Sequence, residues 1–400
     1  MNKPFSLSFH IVFFVLAIFS LSLIVDIPAK YLPILEILPF ALLGLAFILG
    51  YRFNRSLVIY SAVLFILVYA YPSVSDQLNK EQYYLSLNTL VIFLVMNVTL
   101  LCFYCERGIF TLIGMSRFVF IFAQLGVIIW FVEAQPVLWK SLILQTIFPA
   151  LEIKLAFFEQ LTLLVILSSI ILISSSYLTR ANPFRSAIFV SMLICLYAIT
   201  LPAKEMLSYS ALLSYALLLP LLTLISESYR MAFIDELTNL PGRRALNEAM
   251  DKLGKNYVIA MLDVDHFKKF NDTYGHDAGD DVLQLLGSRL KLVKGGGKPF
   301  RYGGEEFAIL FSGVTLKGAK EHLDNLREEI ATKKFALRKQ ERRNKNSRAA
   351  KKKKQRHVSV TISIGFAQQN DKLTSPAAVL KASDKALYRA KKKGRNCVSK

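Results

Sequence analysis

The sequence predicts a protein in two parts: an all-α polytopic membrane bundle of about eight spans over residues 1–226, and an α+β domain after it. Three observations predict this. Hydrophobic residues make up 54% of the 400-residue chain and charged residues 20%, with mean hydropathy +0.40, a balance too apolar for a chain that is soluble throughout. Long apolar runs separated by short charged loops stop at Ser226. Beyond it, apolar stretches of strand length alternate with stretches of helical period, the pattern of a sheet covered by helices.

A membrane span needs about 20 mostly apolar residues. Segments around 9–25, 32–50, 56–72, 84–104, 116–133, 159–178, 186–203 and 207–226 meet that length or come close. Loop charges set the orientation, because Lys and Arg gather in cytoplasmic loops. Lys3, Arg52 with Arg55, Arg107 with Arg117, Arg180 with Arg185, and Arg230 fall on one side. The opposite loops hold balanced mixtures such as Asp26 with Lys30 and Lys204 with Glu205. Eight spans with both termini in the cytoplasm satisfy this pattern. Residues 138–158 carry Pro149 in an apolar stretch too short to cross, and are expected to form a re-entrant or interfacial piece on the outer side. The first span lacks a small-residue cleavage site and is expected to be retained. Ionisable groups at membrane depth mark transport routes; only His10 and Glu36 come close here, both near span ends, which disfavours a transporter. Cys102, Cys105, Cys195 and Cys397 include no second C-x-x-C pair, so packing is expected rather than zinc.

The charge balance changes after the spans. Up to Ser226 there are twelve Lys and Arg against nine Asp and Glu; after it, 37 against 20. Residues 333–356 hold thirteen of those bases and one acid, Glu341. Such a run reads as a solvated extension, since like charges repel and leave nothing to bury. Attraction to anionic membrane lipid is its functional alternative, and nucleic acid is not expected because no aromatic residue interleaves it beyond Phe335. Around this run, periodicity predicts a helix near 243–254 and a strand from Tyr257 to Leu262 ending in Asp263. Helices follow near 266–274 and 278–293, then a hairpin with arms Pro299–Tyr302 and Glu306–Phe311 around Gly303-Gly304. A helix near 316–332, a strand over Val358–Ala367 and a helix over 376–392 complete the order. The glycine pair leaves bare backbone where a bulky anion can approach, with Glu305 and Glu306 beside it.

Six motifs stand in order over about 165 residues. They are Asp235-Glu236-Leu237-Thr238 running on to Arg244, Leu262-Asp263-Val264-Asp265-His266-Phe267-Lys268, and Asn271-Asp272-Thr273-Tyr274-Gly275-His276-Asp277-Ala278-Gly279-Asp280. The other three are Arg301-Tyr302-Gly303-Gly304-Glu305-Glu306-Phe307, Thr361-Ile362-Ser363-Ile364-Gly365, and Ala386-Leu387-Tyr388-Arg389-Ala390-Lys391 with Gly394-Arg395-Asn396. Together they resemble the GGDEF-domain diguanylate cyclases of bacteria, in the GGEEF variant. The resemblance covers this half only.

That resemblance implies a palm-like fold related to nucleotidyl cyclases, condensing two GTP molecules into cyclic di-GMP with release of two pyrophosphates. It implies Mg²⁺, for which Mn²⁺ substitutes, held by Asp263, the Val264 carbonyl, Glu305 and Glu306. Glu305 and Glu306 are then the catalytic pair, with Glu305 helping to deprotonate the attacking hydroxyl. The donor types suit the task, because Mg²⁺ takes carboxylate, water and phosphate oxygens. Asn271 and Asp280 would contact guanine with His276 nearby, while Lys268, Lys391 and Arg395 would hold triphosphate oxygens and Gly303 and Gly304 leave room for them. Asp280 reads equally as an ordinary residue at a helix start.

Each such domain holds one GTP, so a homodimer is implied. The implied organisation is a transmembrane sensor and dimerisation region over 1–226, a signalling linker over 227–240, and the GGDEF domain over 233–400 with a basic insertion at 333–356. The expected location is the bacterial inner membrane, multi-pass, with the domain in the cytoplasm. The competing reading is a GTP-binding receptor module that no longer turns over, although no signature carboxylate or glycine is lost. Two departures stand out. The RxxD inhibitory site common in the family is replaced by Lys294-Gly295-Gly296-Gly297, so product inhibition through it is not expected, and Gly242 stands where asparagine is usual.

Overall fold

The computed structural model describes residues 7–24, 28–145, 147, 158–179, 182–202, 205–333, 335–336 and 357–400, and divides near Ser228 into two compact units. Residues 337–356 of the basic run, 148–157 of the expected re-entrant piece, and the loop charges Lys3, Asp26, Arg180 and Lys204 lie outside the described residues.

The N-terminal unit is helical: α1 (Leu7–Ile24), α2 (Leu32–Arg52), α3 (Ser56–Tyr69), α4 (Tyr71–Ser75), α5 (Lys80–Phe103), α6 (Leu112–Ala134), α7 (Pro136–Ile143), α8 (Gln160–Thr179), α9 (Pro183–Ile199) and α10 (Met206–Phe233). Helices occupy all eight segments expected to span. By length and composition, five helical stretches among the described residues are long and apolar enough to cross a membrane: α2, Ser56–Ser73, α5, α6 and α10. Helices α1, α8 and α9 are apolar but shorter, and α7 is too short to cross. Local chemistry starts several of them. Asn79 and Gln82 form a reciprocal capping box at α5, Thr111 caps α6, and Asn182 caps α9 just before Pro183, which sits where a missing N–H costs nothing. Two polar pairs bridge helices inside this unit: Asn97 Nδ2 donates to Gln124 Oε1 at 2.8 Å, and Thr162 Oγ1 donates to Asn88 Oδ1 at 2.6 Å.

The C-terminal unit contains α11 (Arg243–Asp251), β1 (Tyr257–Val264), α12 (Phe267–Tyr274), α13 (His276–Leu290), β2 (Lys298–Gly303), β3 (Glu306–Ser312), α14 (Leu316–Thr332), β4 (Phe335–Ala336), β5 (His357–Val358), β6 (Ile362–Gln368), α15 (Pro376–Lys392) and β7 (Val398–Ser399). The main sheet runs β2-β3-β1-β6-β7, antiparallel except for the β6–β7 pair. Strand β1 is its centre and is buried along its whole length. Val258, Ala260, Leu262 and Val264 of β1 join a core with Leu286 of α13 and Leu323 of α14, while Tyr257, Ile259 and Met261 join a second core with Leu246 of α11 and Leu387 of α15. Thr315 and Ser375 cap α14 and α15 through backbone N–H groups three residues on.

Four expectations are corrected. The hairpin turn is Gly304-Glu305 rather than Gly303-Gly304, because Gly303 pairs with Glu306 after a register shift at Tyr302. Helix α13 begins at His276, so Asp280 is its fifth residue and not its first. The single strand expected over Val358–Ala367 is two, β5 and β6, separated where Thr361 turns to meet Asp265. Strand β7 was not expected, since two residues carry no periodic signal.

Sheet and helix come together most closely at Gly365, where an added Cβ would lie 1.9 Å from Leu387 N and 2.3 Å from Ser383 O, both backbone atoms. Gly365→Ala is expected to destabilise this unit by about 3 kcal/mol, read as a lowered calorimetric transition of the purified chain; an unchanged transition would refute this packing.

Candidate active site

Strand alternation decides which side chains meet. Asp263 follows Tyr257, Ile259 and Met261 onto the face covered by α15. In β3, Phe307, Ile309 and Phe311 take the opposite face, so Ala308, Leu310 and Glu306 share the face of Asp263. The β1–β3 register sets Asp263 directly opposite Glu306, a spacing of about 5 Å between Cβ atoms. From above, Lys391 in the last turn of α15 places Nζ 2.8 Å from Asp263 Oδ2. Glu305 sits in the turn, its carbonyl accepting from Val264 N at 3.4 Å, and Gly304 before it takes φ +50.

An ion pair fixes that turn. Arg301 donates through one guanidinium nitrogen to both oxygens of Asp235, at 2.8 and 2.9 Å, and through another to Gly304 O at 2.8 Å. Asp235 also accepts from the Thr238 backbone and hydroxyl. The first motif is thereby tied to the hairpin tip, and Arg243 stacks over the Tyr302 ring at 4.6 Å.

Burial is the largest influence on the three carboxyls at the site and pushes all of them above their usual values. The charge of Asp263 raises Glu305 and Glu306 further, Glu306 raises Glu305, and Lys391 works against the trend at each. A divalent cation relieves this mutual repulsion, so the donor set fits one. Among the described residues no three such side chains close on one point; Mg²⁺ in general takes few protein ligands and completes its shell with phosphate and water. A cavity of about 410 Å³ lies alongside, lined by Glu306, Asp384, Tyr388 and Lys391 among others.

The expected base-reading residues lie on α12 and α13, which pack together. Asn271 rests against Gly279, where a Cβ would come within 1.9 Å of its Oδ1, and that oxygen is buried without a hydrogen-bond partner among the described residues. Asp280 adjoins it in sequence and is exposed, as are His276 and Lys268. Gly303 and Gly304 are exposed. Arg395 is exposed at φ +68 between Gly394 at +106 and Asn396 at +44. The structure therefore brings Asp263, Glu305, Glu306 and Lys391 into one cluster, and sets Asn271 of α12 against Gly279 of α13, one residue before Asp280.

Residues 232–397 match the family model described as diguanylate cyclase, GGDEF domain. This stretch is thus similar to GGDEF domains. The chain is 33% identical over 182 residues to the response regulator PleD of Caulobacter vibrioides, covering 44% of this chain and 37% of that protein. It is 35% identical over 180 residues to the diguanylate cyclase VdcA of Vibrio cholerae, covering 44% and 48%. The chain thus spans less than half the length of these curated relatives. Among solved structures, the coiled coil and GGDEF domain of DgcB from Caulobacter crescentus, in complex with c-di-GMP, aligns at 30% identity over 45% of this chain and 91% of that one, with TM-score 0.39. GGDEF cyclases as a class use divalent metal ions.

Sequence reasoning left three residues of the GGDEF domain without a role: Asp235, Asp265 and Asp384. Asp235 had no local signal, since its partner is 66 positions away. Asp384 is exposed on α15, and its charge reaches Glu306. Asp265 did have a signal, its two-residue spacing from Asp263.

For Asp235, burial favours the neutral acid, but the bonds from Thr238 and Arg301 outweigh it and hold the carboxyl below its usual 3.8. A depressed carboxylate stabilises the fold above its unfolded value and loses that contribution as pH falls through the folded one. Asp235→Asn is expected to cost about 2 kcal/mol at pH 7, with the gap from wild type closing below pH 3.8; a gap that persists unchanged to pH 3 in calorimetry would show that the charge plays no part.

Proposed function

We propose that this chain is a membrane-bound diguanylate cyclase whose GGDEF domains work as a homodimer on two GTP molecules. The observation that carries the reading is Asp263 opposite Glu306 with Lys391 against the pair, under a glycine turn that exposes backbone. In each half-reaction the 3′-oxygen of one GTP attacks the α-phosphorus of the other. One phosphodiester bond forms, the α–β anhydride breaks, and pyrophosphate leaves. Two such steps close the ring.

Asp263, the Val264 carbonyl, Glu305 and Glu306 are the groups that would hold Mg²⁺, or Mn²⁺ in its place. When bound, the metal activates the hydroxyl and neutralises phosphate charge. Glu305, raised by burial and by its neighbours, is suited to accept the hydroxyl proton. Lys268, Lys391 and Arg395 supply cations for the triphosphate oxygens. Asn271, with its unpartnered buried oxygen, and Asp280 supply hydrogen-bonding groups for guanine, with His276 adjacent. Gly303 and Gly304 leave the approach clear.

The N-terminal helices in this reading form eight spans in the bacterial inner membrane, pair two copies, and sense a signal through movement of the spans. The linker near Arg230 is the point of control. A flexible Gly/Ser insertion after Arg230 is expected to abolish regulation, and unchanged behaviour of the insertion variant would reduce the spans to a tether.

Purified full-length protein with GTP and Mg²⁺ is expected to yield cyclic di-GMP. Glu306→Gln and Asp263→Asn should each lower the rate by about 10²-fold or more. Chelation should stop the reaction in the wild type, and Mg²⁺ should raise its unfolding temperature more than that of Asp263→Asn. A wild-type rate from Glu306→Gln would refute the metal assignment, and GTP binding without product would favour the receptor reading. Because Lys294-Gly295-Gly296-Gly297 lacks the family's Arg and Asp, added cyclic di-GMP should leave the initial rate unchanged. Inhibition at low product concentration would overturn that part.

A further inference from the structure

Asp263 near the end of β1 and Asp265 in the turn just after it lie two residues apart and both reach toward Ser363 of β6, to which Asp263 is paired and Asp265 hydrogen-bonded. Their surroundings differ. Asp265 is 7% exposed and both of its oxygens are engaged: Oδ1 accepts from Ser363 Oγ at 2.6 Å, and Oδ2 accepts from Thr361 Oγ1 at 2.7 Å and from Asn396 N at 3.0 Å. Three of the carboxylate's roughly four lone-pair directions are thus taken by donors already in place, which commits it to hydrogen bonds with the protein.

The third of those donors belongs to a loop that does not hold its own shape. Gly394, Arg395 and Asn396 run through three successive left-handed conformations, with φ +106, +68 and +44, which non-glycine residues avoid and which persist only under outside contacts. Arg395 N donates to Ala390 O at 3.2 Å, Ile364 N donates to Cys397 O at 3.0 Å, and Arg327 reaches Asn396 Oδ1 at 3.4 Å. Asp265 adds the charged acceptor to this set. Arg395 also lies close enough to Asp263 for its charge to favour the ionised acid, so the loop delivers its guanidinium to the metal side of the site.

We infer that Asp265 is a positioning residue for triphosphate binding: through the Asn396 backbone N–H it fixes the loop that presents Arg395, and it does not ligate the metal. The inference rests on the GTP-binding reading above. It separates the two aspartates of the motif, Asp263 serving the ion and Asp265 serving the cation that faces the phosphates.

The test is binding of the non-hydrolysable guanosine 5′-(α,β-methylene)triphosphate with Mg²⁺ to the purified full chain, with GMP as a second ligand. Asp265→Asn is expected to weaken the triphosphate analogue about tenfold while leaving GMP nearly unchanged. Arg395→Ala should do the same, and the double variant should be no weaker than either single one, because both remove one interaction. Asn396→Gly keeps the N–H and the left-handed backbone but gives up the Arg327 contact, and should weaken the analogue less than Asp265→Asn does. Should Asp265→Asn fail to fold in calorimetry, Thr361→Val, which strips one anchoring donor from the same carboxylate, is held to the same criterion. Additive losses, equal weakening of GMP, or a Mg²⁺ requirement shifted as in Asp263→Asn would overturn the inference. No binding of the analogue by wild type would instead sink the GTP reading itself.

Discussion

Everything in the C-terminal unit depends on the register of β1. It pairs with β3 on one side and β6 on the other, and both of its faces are buried. A strand held this way cannot slip by one residue without turning Leu262 and Val264 toward α15 and Asp263 into the core beneath α13 and α14. The large cost of burying an unpaired carboxylate in such a core protects the register that builds the site. Hydrophobic packing therefore fixes chemistry: the residues that never touch substrate determine where the acids point.

The site is also electrostatically unfinished. Three carboxyls crowd together and burial discourages their ionisation, with Lys391 as the close counter-charge. Nearby groups are tied in place by hydrogen bonds and ion pairs. Arg301 ties the hairpin tip to Asp235, and Asp265 ties β1, β6 and the loop after α15. This is the expected form of a preorganised site, in which supporting hydrogen bonds hold the first layer of groups in place before any ligand arrives.

In the proposed reading the N-terminal unit meets a different solvent. Its outward faces are apolar, with Ile48, Phe122 and Ile171 exposed, while polar side chains such as Asn88 and Asn97 turn inward and pair. That inversion is what a hydrocarbon surrounding selects, because an unpaired amide there has no water to bond. The positions of these helices were legible from hydropathy, which needs only local composition.

The sequence by itself determined the division into an apolar half and a polar half, the main helices and strands, and the choice of Asp263, Glu305, Glu306, Asn271, Asp280, Lys268, Lys391 and Arg395 as candidates, because periodicity and motif spacing are local properties. The tertiary structure alone decided that the turn is Gly304-Glu305, since a register shift at Tyr302 depends on the partner strand. It alone joined Asp235 to Arg301 across 66 positions and gave Asp265 its three donors from Thr361, Ser363 and Asn396. Contacts between residues far apart along the chain leave no trace in a local pattern. They exist only after the sheet has closed, and in this domain they are what separates two neighbouring aspartates into two different tasks.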